Sequence, residues 1–144
     1  MTRLKENEGY ILRIASGQWI EQVFNSAMYY SGLRRKWKPE QTILFLHKTN
    51  NGDAFIGYGI IEKTHDENEL SKEEQLECEK HGWKTAIVFK YVVEFKHPLR
   101  LKETIFKDSK LRGRCFHGLP LNKEKADSIL ALAERLQPKT DQKS

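Results

Sequence analysis

Cysteine is almost missing from this chain, which has only Cys78 and Cys115 in 144 residues. Two cysteines cannot form the disulfide framework that holds a small secreted scaffold, so both read as free thiols suited to a reducing compartment. Their contexts, Cys78-x-x-His81 and Cys115-x-His117, lack the usual spacings of structural zinc sites, and no metal is expected. No apolar run approaches the roughly 18–20 residues that a membrane-crossing helix needs. The opening Met1-Thr2-Arg3-Leu4-Lys5-Glu6 is polar and carries no hydrophobic signal region. The expectation is a cytoplasmic protein without a membrane partner. A phosphate-cradling glycine loop is also lacking, because Gly57 and Gly59 fall inside a strand pattern with no helix behind it. No two carboxylates are spaced for acid–base work. An enzyme is therefore the weaker expectation; no catalytic residue is nominated, and no cofactor is expected.

Charge is present in quantity and unevenly placed. The chain carries a net +5. Between residues 62 and 81, eight acids face three lysines, so this stretch is −5 and the remainder is +10. Concentrated positive charge beside an acidic insert is the electrostatic footprint of a nucleic-acid binder, and equally that of a soluble basic surface. The densest basic run is Arg34-Arg35-Lys36-x-Lys38, and Lys110, Arg112 and Arg114 make a second. Both are candidate phosphate contacts.

The length suits one domain, 1–144, with a core over about 9–136 and a polar tail over 137–144. Residues 10–15 read as a strand. Ser16 is placed to cap a helix over about 18–29, and 42–47 reads as a strand apolar on both faces. Asn50-Asn51-Gly52-Asp53 signals a hairpin turn into a strand over 55–63. In that strand Gly57 and Gly59 leave one face bare, for a bend, a close neighbour or a ligand. Ser71-Lys72-Glu73-Glu74 has capping-box spacing, predicting an exposed helix to about residue 80. The longest strand, 84–96, would place Ile87, Phe89, Tyr91, Val93 and Phe95 on one apolar face and end at Pro98. A further short strand is expected over 99–106, followed by a basic loop or strand to 116. Asn122 caps a final helix with Ala126, Ile129, Leu130, Ala133 and Leu136 on its inner stripe. Strands in this number, with one helix early and one late, predict an α+β fold: a small β-barrel of about five or six strands with flanking helices.

This order of elements resembles the EVE family of the PUA-like superfold, whose relatives include YTH, ASCH and PUA domains. The residues that carry the likeness are Tyr10-Ile-Leu-Arg-Ile-Ala15, Trp19 opening a helix, and Tyr29-Tyr30-Ser31-Gly32. They continue with Trp37-Lys38-Pro39, Phe55-Ile56-Gly57-Tyr58-Gly59-Ile60 and Gly118-Leu119-Pro120-Leu121. The likeness runs through about residues 9–136. Where EVE-like chains show a Lys-Pro-Gly-Asp turn, this one has Lys38-Pro39-Glu40-Gln41, and Tyr30-Ser31-Gly32 replaces a Gly-Val-Pro. The Gly-x-Lys-x-x-Glu-x-Arg signature of ASCH domains is absent.

The resemblance implies a module for RNA or DNA that holds an unpaired or flipped base, modified or unmodified, in an aromatic pocket beside a basic rim. Its alternative is a nuclease or small-molecule hydrolase using the same pocket. By position, Tyr30 and Ser31 match the tryptophan-serine pair of YTH domains, Trp83 is the expected opposing wall, and Ser16 and Gln18 could read polar base edges. Trp19 completes the candidate set, although a tryptophan on an amphipathic helix serves a core as readily as a pocket. Tyr29 and Tyr30, taken as helical neighbours, cannot both face the pocket. An unpaired base regains stacking on an aromatic face, worth ~1–3 kcal/mol.

Overall fold

The computed structural model describes residues 9–50, 52–111 and 113–137. The elements run β1 (Gly9–Arg13), α1 (Gly17–Ser26), β2 (Met28–Ser31), β3 (Thr42–Thr49), β4 (Gly52–Asp66), α2 (Lys72–His81), β5 (Thr85–Arg100), β6 (Pro120–Leu121) and α3 (Lys123–Leu136). One six-stranded sheet has the order β2-β5-β4-β3-β1-β6. Among the described residues only β1 and β3 pair in parallel, joined through α1 and β2, and the other pairs are antiparallel.

The fold is α+β, but the sheet is open and the expected barrel does not close. Its two edges are the shortest strands, β2 with four residues and β6 with two, and they stand at opposite ends of the sheet. Closure would require these edges to pair with each other.

Strand alternation builds two cores, one on each side of the sheet. Ile11, Leu44, Leu46 and Phe55 face α3, with Ala126, Ile129 and Ala133 docked over them. Tyr10, Leu12, Ile43, Phe45 and Ile61 face α1 through Val23 and Phe24. The expected two-sided burial of β3 holds, with Ile43, Leu44, Phe45 and Leu46 all fully buried. Side chains of this size each contribute about 1.5–3 kcal/mol when removed from water. The bare stripe of Gly57 and Gly59 admits close neighbours: Phe24 and the Val93 carbonyl pack on Gly57, and Phe89 and Val92 pack on Gly59.

β5 departs from its expected single apolar face. Ile60 pairs with Tyr91 and Ile61 with Phe89, which leaves Lys90 as an extra, unpaired residue. This bulge inverts the alternation. Ile87 and Phe89 serve the α1 core before it, whereas Val93, Phe95 and Leu99 serve the α3 core after it. Tyr91 is turned to solvent, 50% exposed. Pro98 does not end the strand. It lies in the irregular stretch between the Gly57–Glu94 and Phe55–Leu99 pairs, where no ladder N–H is needed, and β5 continues to Arg100. After it come a 3-10 turn, Leu101–Glu103, and a loop in place of the expected further strand.

The first helix is shorter than its pattern implies. Ala27 takes left-handed φ of 55° and its N–H bonds the Val23 carbonyl, ending α1 at Ser26. Tyr29 and Tyr30 therefore lie on β2, not on a helix. Asn122 caps α3 by accepting from the Lys125 N–H, as expected. Ser71 and Glu74 form the reciprocal capping box of α2.

Candidate nucleic-acid interface

Strand alternation separates the two adjacent tyrosines of β2. Tyr29 packs into the α1 core, where burial raises its phenol pKa. Tyr30 points the other way and stacks on Trp83, with ring centroids 4.9 Å apart and planes inclined by 14°. Trp83 also stacks with His81, at 4.3 Å and 20°. Trp19 meets both edge-on, 5.1 Å from Trp83 and 5.6 Å from His81. Four rings from α1, β2 and the end of α2 thus gather into one cluster. The sequence named three of them, and His81 is the addition.

The expected walls, Tyr30 and Trp83, are in direct contact, so no ring fits between them as they stand. The Tyr30 hydroxyl donates to the Glu74 carboxylate on α2 over 2.9 Å. Burial foremost, with the Glu74 bond and charge behind it, pushes the Tyr30 phenol up to about 12. The same bond, then those from Ser71, holds the Glu74 carboxyl below its ordinary range. Cys78, buried on the inner side of α2, has its thiol pKa raised by burial and by Glu67, Glu74 and Glu77.

The polar members of the expected pocket are occupied locally. Ser16 caps α1, accepting from the Gln18 N–H. Gln18 itself is exposed on the first turn. Ser31 is buried, and its hydroxyl accepts from the Leu33 N–H. Its carbonyl takes the Lys84 N–H, which joins β2 to the residues that follow Trp83.

Beside this junction lies a cleft of about 440 Å³, lined on one side by Arg34, Arg35, Lys36 and Trp37. Thr64, Asp66, Glu67 and Asn68, from the end of β4 and the 3-10 turn after it, line the cleft too, with Lys84 and Thr85. The first basic run therefore borders a concavity next to the aromatic cluster. Its members differ in their engagements. Arg35 donates through Nε to the Gly118 carbonyl at 2.9 Å and through a terminal nitrogen to the Arg34 carbonyl, pinning the loop to the turn before β6. Arg34 and Lys36 are exposed and have no carboxylate partner among the described residues. Lys38 donates its backbone N–H to Gln41 and does not line the cleft. The only ion pair between cleft residues among those described is a loose one, Lys84 to Glu67 at 3.8 Å. Trp37 packs edge-on against Tyr10, and its indole N–H is buried without an acceptor among the described residues.

The second basic run is not part of this cleft where it can be placed. Lys110 is exposed in the loop after β5, Arg112 lies outside the described residues, and of Arg114 only the backbone, in a 3-10 turn, is described. The acidic wall was missed from the sequence. Its available signal was the −5 stretch itself, two of whose carboxylates, Asp66 and Glu67, line the cleft with the first basic run. Among the described residues, no three His, Cys, Asp or Glu side chains gather as metal ligands.

No family model matches the chain, and no curated protein matches it. Solved structures do. The ASCH protein of Zymomonas mobilis superposes with a TM-score of 0.65 over 88% of this chain and 96% of that one, at 13% identity. A Pseudomonas syringae protein gives 0.57 over 87% and 99%, at 18% identity. The YTH domain of the Zygosaccharomyces rouxii MRB1 protein, solved with N6-methyladenosine RNA, gives 0.52 over 87% and 85%, at 13% identity. At these identities the likeness is one of architecture, and the chain has the PUA-like fold shared by ASCH and YTH domains.

Proposed function

We propose that this protein is an RNA-binding module that holds one unpaired base against the Trp83 cluster while Arg34 and Lys36 take the adjoining phosphates. The observation that carries this reading is adjacency. Trp83 of the four-ring cluster directly precedes Lys84, which lines the cleft with Arg34 and Lys36, and stacking surface beside positive charge is the general equipment for single strands. The YTH neighbour, solved with N6-methyladenosine RNA, supports RNA over DNA as the partner. On this reading the His81 ring, whose side chain is 36% exposed, swings away and the base takes its place on Trp83. A methylated base would bring more apolar surface to the rings and leave less hydration behind.

Membership of the EVE family belongs to the same proposal, and one backbone angle supports it. Glu40 has φ of 75°. It occupies the place of the glycine in the family's Lys-Pro-Gly-Asp turn, and a left-handed angle is the reason glycine suits that place.

The test is fluorescence anisotropy with short single-stranded RNAs, modified and unmodified, at two salt concentrations. Binding that weakens with salt and falls about tenfold or more in Trp83→Ala supports the reading. Salt-independent or absent binding ends it. Strand cleavage in the same mixtures would favour the nuclease alternative.

A further inference from the structure

The cleft has walls of opposite character, a feature that phosphate binding leaves unused. Arg34, Lys36 and Lys84 supply cations, whereas Thr64, Asp66, Glu67 and Asn68 supply mainly hydrogen-bond acceptors. Thr64 and Asp66 are two apart on β4, so strand alternation sets them on one face. Asp66 pairs across the ladder with Thr85, another lining residue. The acidic residues are not simply neutralising the basic ones. Glu67 and Lys84 approach only to 3.8 Å, and Asp66 enters no ion pair among the described residues; its carboxylate accepts the Glu69 backbone N–H in the cap of the 3-10 turn and keeps acceptor capacity to spare. The volume, about 440 Å³, falls within the ~300–1,000 Å³ typical of small-ligand sites.

A ligand that satisfies both walls is anionic at one end and rich in donors at the other. We propose that this cleft selects a nucleotide unit with an amino-bearing base, guanine foremost. The phosphate lies on Arg34 and Lys36, and the base edge donates to Asp66 and Glu67. Guanine offers two adjacent parallel N–H groups, the geometry a carboxylate accepts as a bidentate pair. Uracil presents one N–H flanked by two carbonyl oxygens, which the same carboxylates repel. The inference rests on the nucleic-acid reading and adds a base preference at a second position, beside the stacked base.

The experiment is anisotropy competition against a labelled single-stranded RNA. The competitors are uridine pentamers with G, C, A or U at the centre, together with GMP and UMP. The wild-type protein should prefer the G-centred strand over all-U by about tenfold or more. The paired substitutions Asp66→Asn and Glu67→Gln should erase that ratio, with the all-U strand bound at least as tightly as before, since two negative charges leave a site for an anion. A carboxylate acting only through its charge would raise both affinities together and keep the ratio, which overturns the inference. Equal binding of G and U strands by the wild type also overturns it, while the broader RNA-binding reading survives. Failure of every strand to bind ends both. Selective displacement by GMP over UMP would place the source in the free nucleotide, and selectivity confined to pentamers would place it in the strand; either supports the preference.

Discussion

Tyr30 and Trp83 lie 53 positions apart in sequence and stack face to face, at 4.9 Å and 14°, with the Tyr30 hydroxyl tied to Glu74 on the acidic helix. The stack joins the edge strand β2 to the segment leading into β5. Any ligand that uses one of these rings must come to terms with the other. The carboxylate that fixes Tyr30 belongs to the most acidic part of a basic protein, so the positive surface and its negative insert meet here.

Tyr30→Ala removes the ring that backs Trp83 and should reduce RNA affinity by loosening the platform on which the base stacks. Tyr30→Phe keeps the ring and loses only the bond to Glu74, so it should bind within a few-fold of wild type. Titration calorimetry on both variants checks the pair. Equal losses would assign the effect to the hydroxyl.

The Tyr30 phenol, shifted from the ordinary 10 up to about 12 by burial and then by Glu74, sets an alkaline limit. A folded-state pKa above the unfolded one gives stability that is fully present below pH 10 and is lost as pH rises through about 12. The tyrosinate absorbance difference between wild type and Tyr30→Phe should therefore titrate later than that of a free tyrosine. A difference midpoint near 10 would contradict the packing described.

His117 sets a limit on the acid side. Its Nδ1 accepts the Arg13 backbone N–H at 3.0 Å, and burial, followed by the charges of Arg35 and Arg13, lowers its pKa. The neutral ring is the folded form. Its contribution is present above the unfolded value near 6.5 and is lost as pH falls toward the lower folded value. Proton NMR should show the His117 ring titrating below the ordinary histidine range. In His117→Gln, urea midpoints should change less between pH 7 and pH 5.

Two glycines should respond oppositely to alanine. A Cβ at Gly57 would sit 2.3 Å from the Val93 carbonyl oxygen and 2.7 Å from Phe24, so Gly57→Ala should cost about 1–3 kcal/mol. Gly17, in the first turn of α1, has nothing within 4 Å of that position, and Gly17→Ala should stabilise by ~0.5–1 kcal/mol. Urea denaturation measures both.

Arg34→Ala and Lys36→Ala should weaken all strands about equally and flatten the salt dependence by roughly one counterion each. Arg35→Ala should behave differently. It removes the Nε bond to Gly118, so a lower thermal midpoint should accompany any loss of binding. Differential scanning fluorimetry separates the cases.

Much of the architecture was legible because it is written in local chemistry. The caps at Ser16, Ser71 and Asn122, the two-sided apolar run of β3 and the inner stripe of α3 each depend on residues within a few positions of one another. What escaped was set at long range. The left-handed Ala27 shortened α1 and moved Tyr30 to a strand, a choice that its helical neighbours do not reveal. Lys90 became an extra residue only because β4 stands opposite. Sheet closure depended on edge strands whose lengths were not evident. The aromatic pair was legible as a pair, but not as two rings already in contact. The acidic wall was visible only as a charge imbalance, since nothing in the local pattern of 64–68 shows that it lies across from Arg34 and Lys36.

Lys90 contributes its side chain to neither core, yet it sets the phase of β5 beyond it. Deleting this one exposed residue would shift the stretch that follows by one position and swing Val93 and Phe95 out from under α3, presenting Glu94 and Lys96 in their stead. The half of the strand that anchors the C-terminal helix therefore depends on a single inserted peptide unit, and a one-residue loss there would do more damage than most substitutions in the interior.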